Sequence, residues 1–131
     1  MGRRQHNSPS LAGAESLSSA YLIAIACLIS YGSLYPFSFF PASDGAFAKL
    51  FLEFELFNSR GDVLGNIGLF VPWGLFGTLV FSPKRSLSHA ATWIIGLGFL
   101  LAFVLQLIQV WIPARSASMG DVLWNVAGWV V

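Results

Sequence analysis

Apolar residues fall into four runs along the chain, residues 19–35, 62–81, 89–112 and 121–131, and the polar residues gather at the ends of those runs. Each run suits a helix, and the first three are long enough to cross a bilayer at about 1.5 Å per residue. The first ends near Pro36, with Tyr31, Tyr35 and Phe37 placed for the interface. The second and third are joined by Ser82-Pro83-Lys84-Arg85, and the fourth has only eleven residues, Asp121 to Val131. Eleven residues make about 16 Å of helix, half a bilayer. The fourth run is therefore either a half-span docked on its neighbours or the start of a longer one. Residues 1–18 are polar and Ser-rich, with Arg3, Arg4 and Glu15, which predicts a mobile tail. The pattern gives an all-α membrane protein, a bundle of about four transmembrane segments arranged as two parallel helical hairpins, with the last span short or truncated. Arginines before an apolar run also describe a signal peptide, with Ser30-Tyr31-Gly32 as a small-x-small cleavage site; cleavage there would discard one element of the paired design.

The pairing shows in a repeated phrase. Gly61-Asp62-Val63-Leu64-Gly65-Asn66 returns as Gly120-Asp121-Val122-Leu123-Trp124-Asn125, with Arg60 and Arg115 upstream and Gly68 and Gly128 downstream. On a helix, Asp and Asn at i and i+4 share a face, roughly 6 Å apart along the axis. Two such faces meeting would gather two carboxylates, two carboxamides and two guanidinium groups. Gln106 and Gln109, at i and i+3 near the end of the third run, lie at a comparable depth and join the same cluster. Two parallel repeats imply a pseudo-two-fold axis along the membrane normal, with the shared site where the halves meet.

Composition sharpens the class. Charged residues make up 10% of the chain and apolar residues 56%, against about 25% and 45–50% in soluble domains, which marks a membrane protein. The 131 residues leave no room for a separate soluble domain, and the net charge of +1 supplies no basic stripe, which excludes nucleic acid as a partner. Partners are expected to be membrane lipid, other helices including a second copy, a lipid-linked envelope precursor or an amphiphilic antibiotic. Cys27 sits alone within an apolar run, so an internal disulfide is excluded and a buried thiol is expected. His6 and His89 have no companion at ligand spacing, and neither a metal nor a cofactor is expected.

Basic residues set the orientation. Arg3, Arg4, Lys84 and Arg85 face Lys49, Arg60 and Arg115 across the membrane, a margin of four to three that puts the amino terminus in the cytoplasm and both Gly-Asp copies outside. The longer outer loop carries Phe47, Leu50, Phe51, Phe54 and Phe57 at helical spacing around Lys49 and Glu53, which predicts a short interfacial helix. It is either a connector or a lid over the cluster. Pro72 predicts a kink, and Gly68, Gly74, Gly77, Gly96 and Gly98 predict close helix packing.

Asp62-x3-Asn66-x3-Phe70-x-Pro72-x-Gly74, with Gln109-x3-Pro113-x-Arg115-Ser116-x4-Asp121-x3-Asn125-x2-Gly128, resembles the VanZ-like family of small bacterial membrane proteins. The resemblance runs from Tyr31 to the end of the chain and implies a multi-span helical protein of the bacterial inner membrane. Its founding member is associated with low-level teicoplanin resistance, and no reaction or cofactor is established for the family. Members commonly carry Glu three residues before the glutamine, where this chain has Gln106.

Three functions compete for the polar residues. The first is a non-enzymatic envelope protein that binds a lipid or lipid-linked headgroup through Arg115, Asp121, Asn125, Gln109, Gln106, Asp62, Asn66 and Arg60, with guanidinium and amides holding phosphate or sugar. The second is an enzyme acting on a lipid headgroup with Asp121 or Asp62 as general base, which lacks a Ser/His or Cys/His pair. The third is a small oligomeric transporter. The plain structural alternative makes both aspartates helix caps, the asparagines interhelical glue and Arg115 a snorkelling cation.

Overall fold

A computed structural model describes residues 10–52, 60–81 and 86–130. They form five helices: α1 (Ser10–Leu34), α2 (Ala46–Leu52), α3 (Arg60–Phe81), α4 (Leu87–Gln109) and α5 (Met119–Val130). The Ser82–Arg85 turn, residues 1–9 and the second half of the expected interfacial helix, Phe54 and Phe57 included, lie outside the described residues.

Three helices are long and apolar enough to cross a membrane: Ser16–Leu34 within α1, Val63–Phe81 within α3, and α4. Their outward faces carry apolar side chains such as Ile23, Leu28, Leu64, Leu75, Leu79, Leu97 and Leu100, all exposed. In water these faces would form an apolar surface far larger than a soluble monomer shows; hydrocarbon solvates them. In place of the four expected spans there are three helices long and apolar enough to cross, plus α5, whose 12 residues reach about 18 Å. α1 starts at Ser10, within the segment expected to be a tail. Ala, Leu and Glu are good helix formers, and extending an existing helix costs far less than nucleating one. α4 stops at Gln109, three residues before the expected end; tight turns follow, in which Ile112 N–H donates to the Gln109 carbonyl (2.8 Å) and Arg115 N–H to the Ile112 carbonyl (2.9 Å).

α3 and α5 pack most closely. Asn66 meets Asp121 early in both helices, and Gly74 meets Trp129 later in both, so the two run in the same sense. Glycine makes the approach possible: a Cβ at Gly74 would lie 2.8 Å from the Trp129 carbonyl oxygen, and one at Gly128 would lie 2.5 Å from that of Ile67. Gly98 likewise admits the Trp129 and Trp73 rings, and Gly77 admits Ile94, whereas Gly68 and Gly96 face open space and hold no neighbour close. The core combines Ile29, Phe70, Trp73, Ile94, Ala102, Leu105, Val122 and Trp129, with the Trp73 indole N–H donating to the Ile94 carbonyl at 3.2 Å. Cys27, expected to be buried, is exposed on α1; α1 turns Ile29 inward and leaves most of its other faces outward.

The helices alternate in direction, so the end of α1, the start of α3, the end of α4 and the start of α5 share one end of the bundle, where the polar residues collect.

Candidate functional site

The α5 start organises this end. Ser118 precedes the helix, its hydroxyl accepts the Gly120 N–H at 3.1 Å, and its carbonyl accepts the Asp121 N–H at 3.2 Å. It is an N-cap, and Ser118-x2-Asp121 has capping-box spacing. The Ser118 N–H, the group a capping box satisfies, donates to Gln106 Oε1 at 3.0 Å. The other end of the same carboxamide donates from Nε2 to Asp121 Oδ2 at 3.4 Å. Asn66 Nδ2 donates to Asp121 Oδ1 at 2.9 Å. One carboxylate therefore ties α3, α4 and α5 together, in the first turn of a helix whose dipole favours negative charge.

Arg115 bonds to α1 and its exit instead. Its Nε donates to the Tyr35 carbonyl at 2.9 Å and Nη2 to the Gly32 carbonyl at 2.7 Å, while Gln109 Nε2 donates to the Ser33 carbonyl at 2.8 Å. These carbonyls belong to the last turn of α1 and its exit, where backbone acceptors lack intrahelical partners and the dipole favours a cation. Two of the five guanidinium N–H groups are engaged this way among the described residues, which leaves further donors for a ligand.

A cavity of about 280 Å³ lies at this end of the bundle. Six of the eight residues expected at the site line it: Asn66, Gln106, Gln109, Arg115, Asp121 and Asn125. Arg60 is not among the lining residues; it is exposed at the start of α3, beside Gly61, which does line the cavity. The Asp62 side chain lies outside what the structure describes. The expected partner for Asn125 on another helix is not found for its oxygen: Asn125 is 5% exposed, and among the described residues its buried Oδ1 has no hydrogen-bond partner. The polar groups nearest in kind, Gln106 and Gln109, are turned to Ser118, Asp121 and Ser33. An acceptor in that position costs free energy unless a donor enters the cavity.

Two contributors escaped the sequence. Ser118 was signalled by its spacing to Asp121, a readable capping pattern. The Gly32, Ser33 and Tyr35 carbonyls carry no sequence signal, because every residue has one. Among the described residues no group of three His, Cys, Asp or Glu side chains is placed to hold a metal.

A family model described as VanZ/LLP1 matches residues 18–131, which takes in every residue that lines the cavity. No curated protein and no solved structure matches the chain. By that match over most of its length, the chain belongs to the VanZ/LLP1 family.

Proposed function

We propose that the cavity binds the polar headgroup of a lipid or lipid-linked envelope molecule and that the protein does so without catalysing a reaction. The observation that carries the reading is Asn125, a residue of the cavity wall whose buried Oδ1 finds no hydrogen-bond partner among the described residues. An acceptor buried there is complemented by a hydroxyl or ammonium donor, and the remaining Arg115 donors across the cavity by a phosphate or carboxylate. A headgroup carries both. Asp121 and Arg115 both line the cavity, and a carboxylate and a guanidinium on one wall suit a dipolar or polyol-phosphate ligand better than a bare ion. Arg60 stands beside the Gly61 wall and would meet such a group as it enters.

In this reading the amino terminus is cytoplasmic, the site opens to the outer leaflet, and the two Asp-x3-Asn halves form paired hairpins around it. A protein that sequesters or screens headgroups there would bear on susceptibility to a glycopeptide such as teicoplanin, the role associated with the founding member of the resembling family. Lipid extraction and mass spectrometry of the purified chain test the proposal: a defined lipid class retained through purification is expected, and a chain that carries only the bulk lipid mixture contradicts it.

A further inference from the structure

A second cavity of about 520 Å³ adjoins the first, sharing Gln109, Arg115 and Ser116 as a common wall. Its far side is formed by Ser43, Ala46 and Lys49, from α2 and the turn before it. α2 has seven residues, too few to hold as a helix alone, so its packing fixes where Lys49 stands. Leu50 is fully buried, the Phe47 ring meets Trp111 edge-on at 5.2 Å, and the Phe40 N–H donates to the Trp111 carbonyl at 2.9 Å. Lys49, next to that buried Leu50, thus faces a cavity it shares with Arg115, and among the described residues its lining holds no carboxylate. Asp44 is adjacent in sequence but outside the lining. Two exposed cations on one cavity wall with no carboxylate beside them favour an anion there. The adjoining cavity supplies the independent sign of a ligand, the buried and unpartnered Asn125 Oδ1.

We propose that the two cavities form one bipartite site for a phosphate-bearing headgroup, with the phosphate between Lys49 and Arg115 and its hydroxyl- or amine-bearing part reaching Asp121 and Asn125. This rests on the headgroup reading above and narrows it to a phosphorylated class. Lys49 contributes a compact charge, whereas Arg115 is already oriented by the α1 carbonyls and offers directed donors. Ser43 and Ser116, which line the same space, add hydroxyl groups of the kind that surround bound phosphates.

The test compares two lipids that differ in the phosphate, phosphatidylglycerol and diacylglycerol with the same acyl chains, titrated onto the detergent-solubilised full chain by native mass spectrometry. Lys49→Ala is expected to weaken phosphatidylglycerol binding tenfold or more and leave diacylglycerol unchanged, and Lys49→Arg is expected to restore most of the loss. If Lys49→Ala changes both lipids equally, or neither, the phosphate subsite is wrong while the headgroup cavity stands. If the unaltered chain binds neither lipid, both proposals fall. Competition with inorganic phosphate distinguishes the source: Lys49-dependent displacement assigns the subsite to free phosphate, and Lys49-dependent lipid binding that resists it assigns the subsite to the lipid phosphodiester.

Discussion

Asn66 Nδ2 donates to Asp121 Oδ1 at 2.9 Å, which joins the asparagine of the first Gly-Asp-Val-Leu copy to the aspartate of the second. The bond couples α3 to α5 through residues 55 positions apart, so its strength is a property of the tertiary fold. A double-mutant cycle with Asn66→Ala and Asp121→Ala is expected to give a coupling of about 0.6–1.7 kcal/mol in detergent, the range of polar contacts between membrane helices. Strictly additive losses in thermal stability would show that the two side chains do not interact.

Gln106 uses both ends of its carboxamide, accepting from Ser118 and donating to Asp121. Gln106→Glu keeps the acceptor and turns the donor into a second carboxylate beside Asp121. Loss of about 1–3 kcal/mol is expected from the missing donor and the like charge. Gln106→Met, which loses both bonds without adding charge, is expected to be the milder change when the two are unfolded side by side at neutral pH. Equal or greater tolerance of Glu would mean that a cation or proton already balances this site.

The two glycines that follow the repeat are expected to behave oppositely. Gly128→Ala would put a Cβ 2.5 Å from the Ile67 carbonyl oxygen and 3.0 Å from its Cα. Both are backbone atoms, so the helices must separate, at a cost of about 1–3 kcal/mol. Gly68 has nothing within 4 Å, and Gly68→Ala is expected to stay within about 0.5 kcal/mol of the parent. Equal losses in thermal stability would contradict the α3–α5 crossing.

This difference marks how far the sequence could be read. The repeat put Asp and Asn of each copy on one helix face, because spacing fixes the face, and the structure joins the two faces through Asn66 and Asp121; apolar run lengths gave α3 and α4 nearly whole. Spacing does not give crossing angle, so the equivalence of Gly68 and Gly128 broke down once α3 and α5 packed with Gly128 against Ile67 and Gly68 facing open space. Nor does it show which backbone atoms a side chain reaches. Arg115 was legible as a cation near a cluster, but its bonds to Gly32 and Tyr35 depend on where α1 ends. Cys27 was misplaced for a related reason: an apolar run in a membrane protein has an outward face as apolar as its inward one, and the sequence does not distinguish them.

Topology can be tested in a Cys27→Ala background, which is expected to fold because Cys27 is exposed. Single cysteines at Asp44 and Ala117 lie at the end of the bundle that carries the site, and both are expected to react with an impermeant thiol reagent in intact cells. Labelling of both only after lysis would reverse the orientation and put the cavity on the cytoplasmic side.

Asn125→Leu asks whether the cavity beside Asn125 exists for a ligand. Leucine has similar volume and removes the unpartnered acceptor, so without a ligand the substitution should leave thermal stability unchanged or raise it. With a ligand, it removes the group that receives the ligand's donor. The measurement is the amount of lipid retained per chain, taken by native mass spectrometry on parent and variant purified identically. The expected result is a folded variant, at least as stable once delipidated, that has lost most of the retained lipid; a variant that is equally stable and retains the same lipid in the same amount would contradict the account.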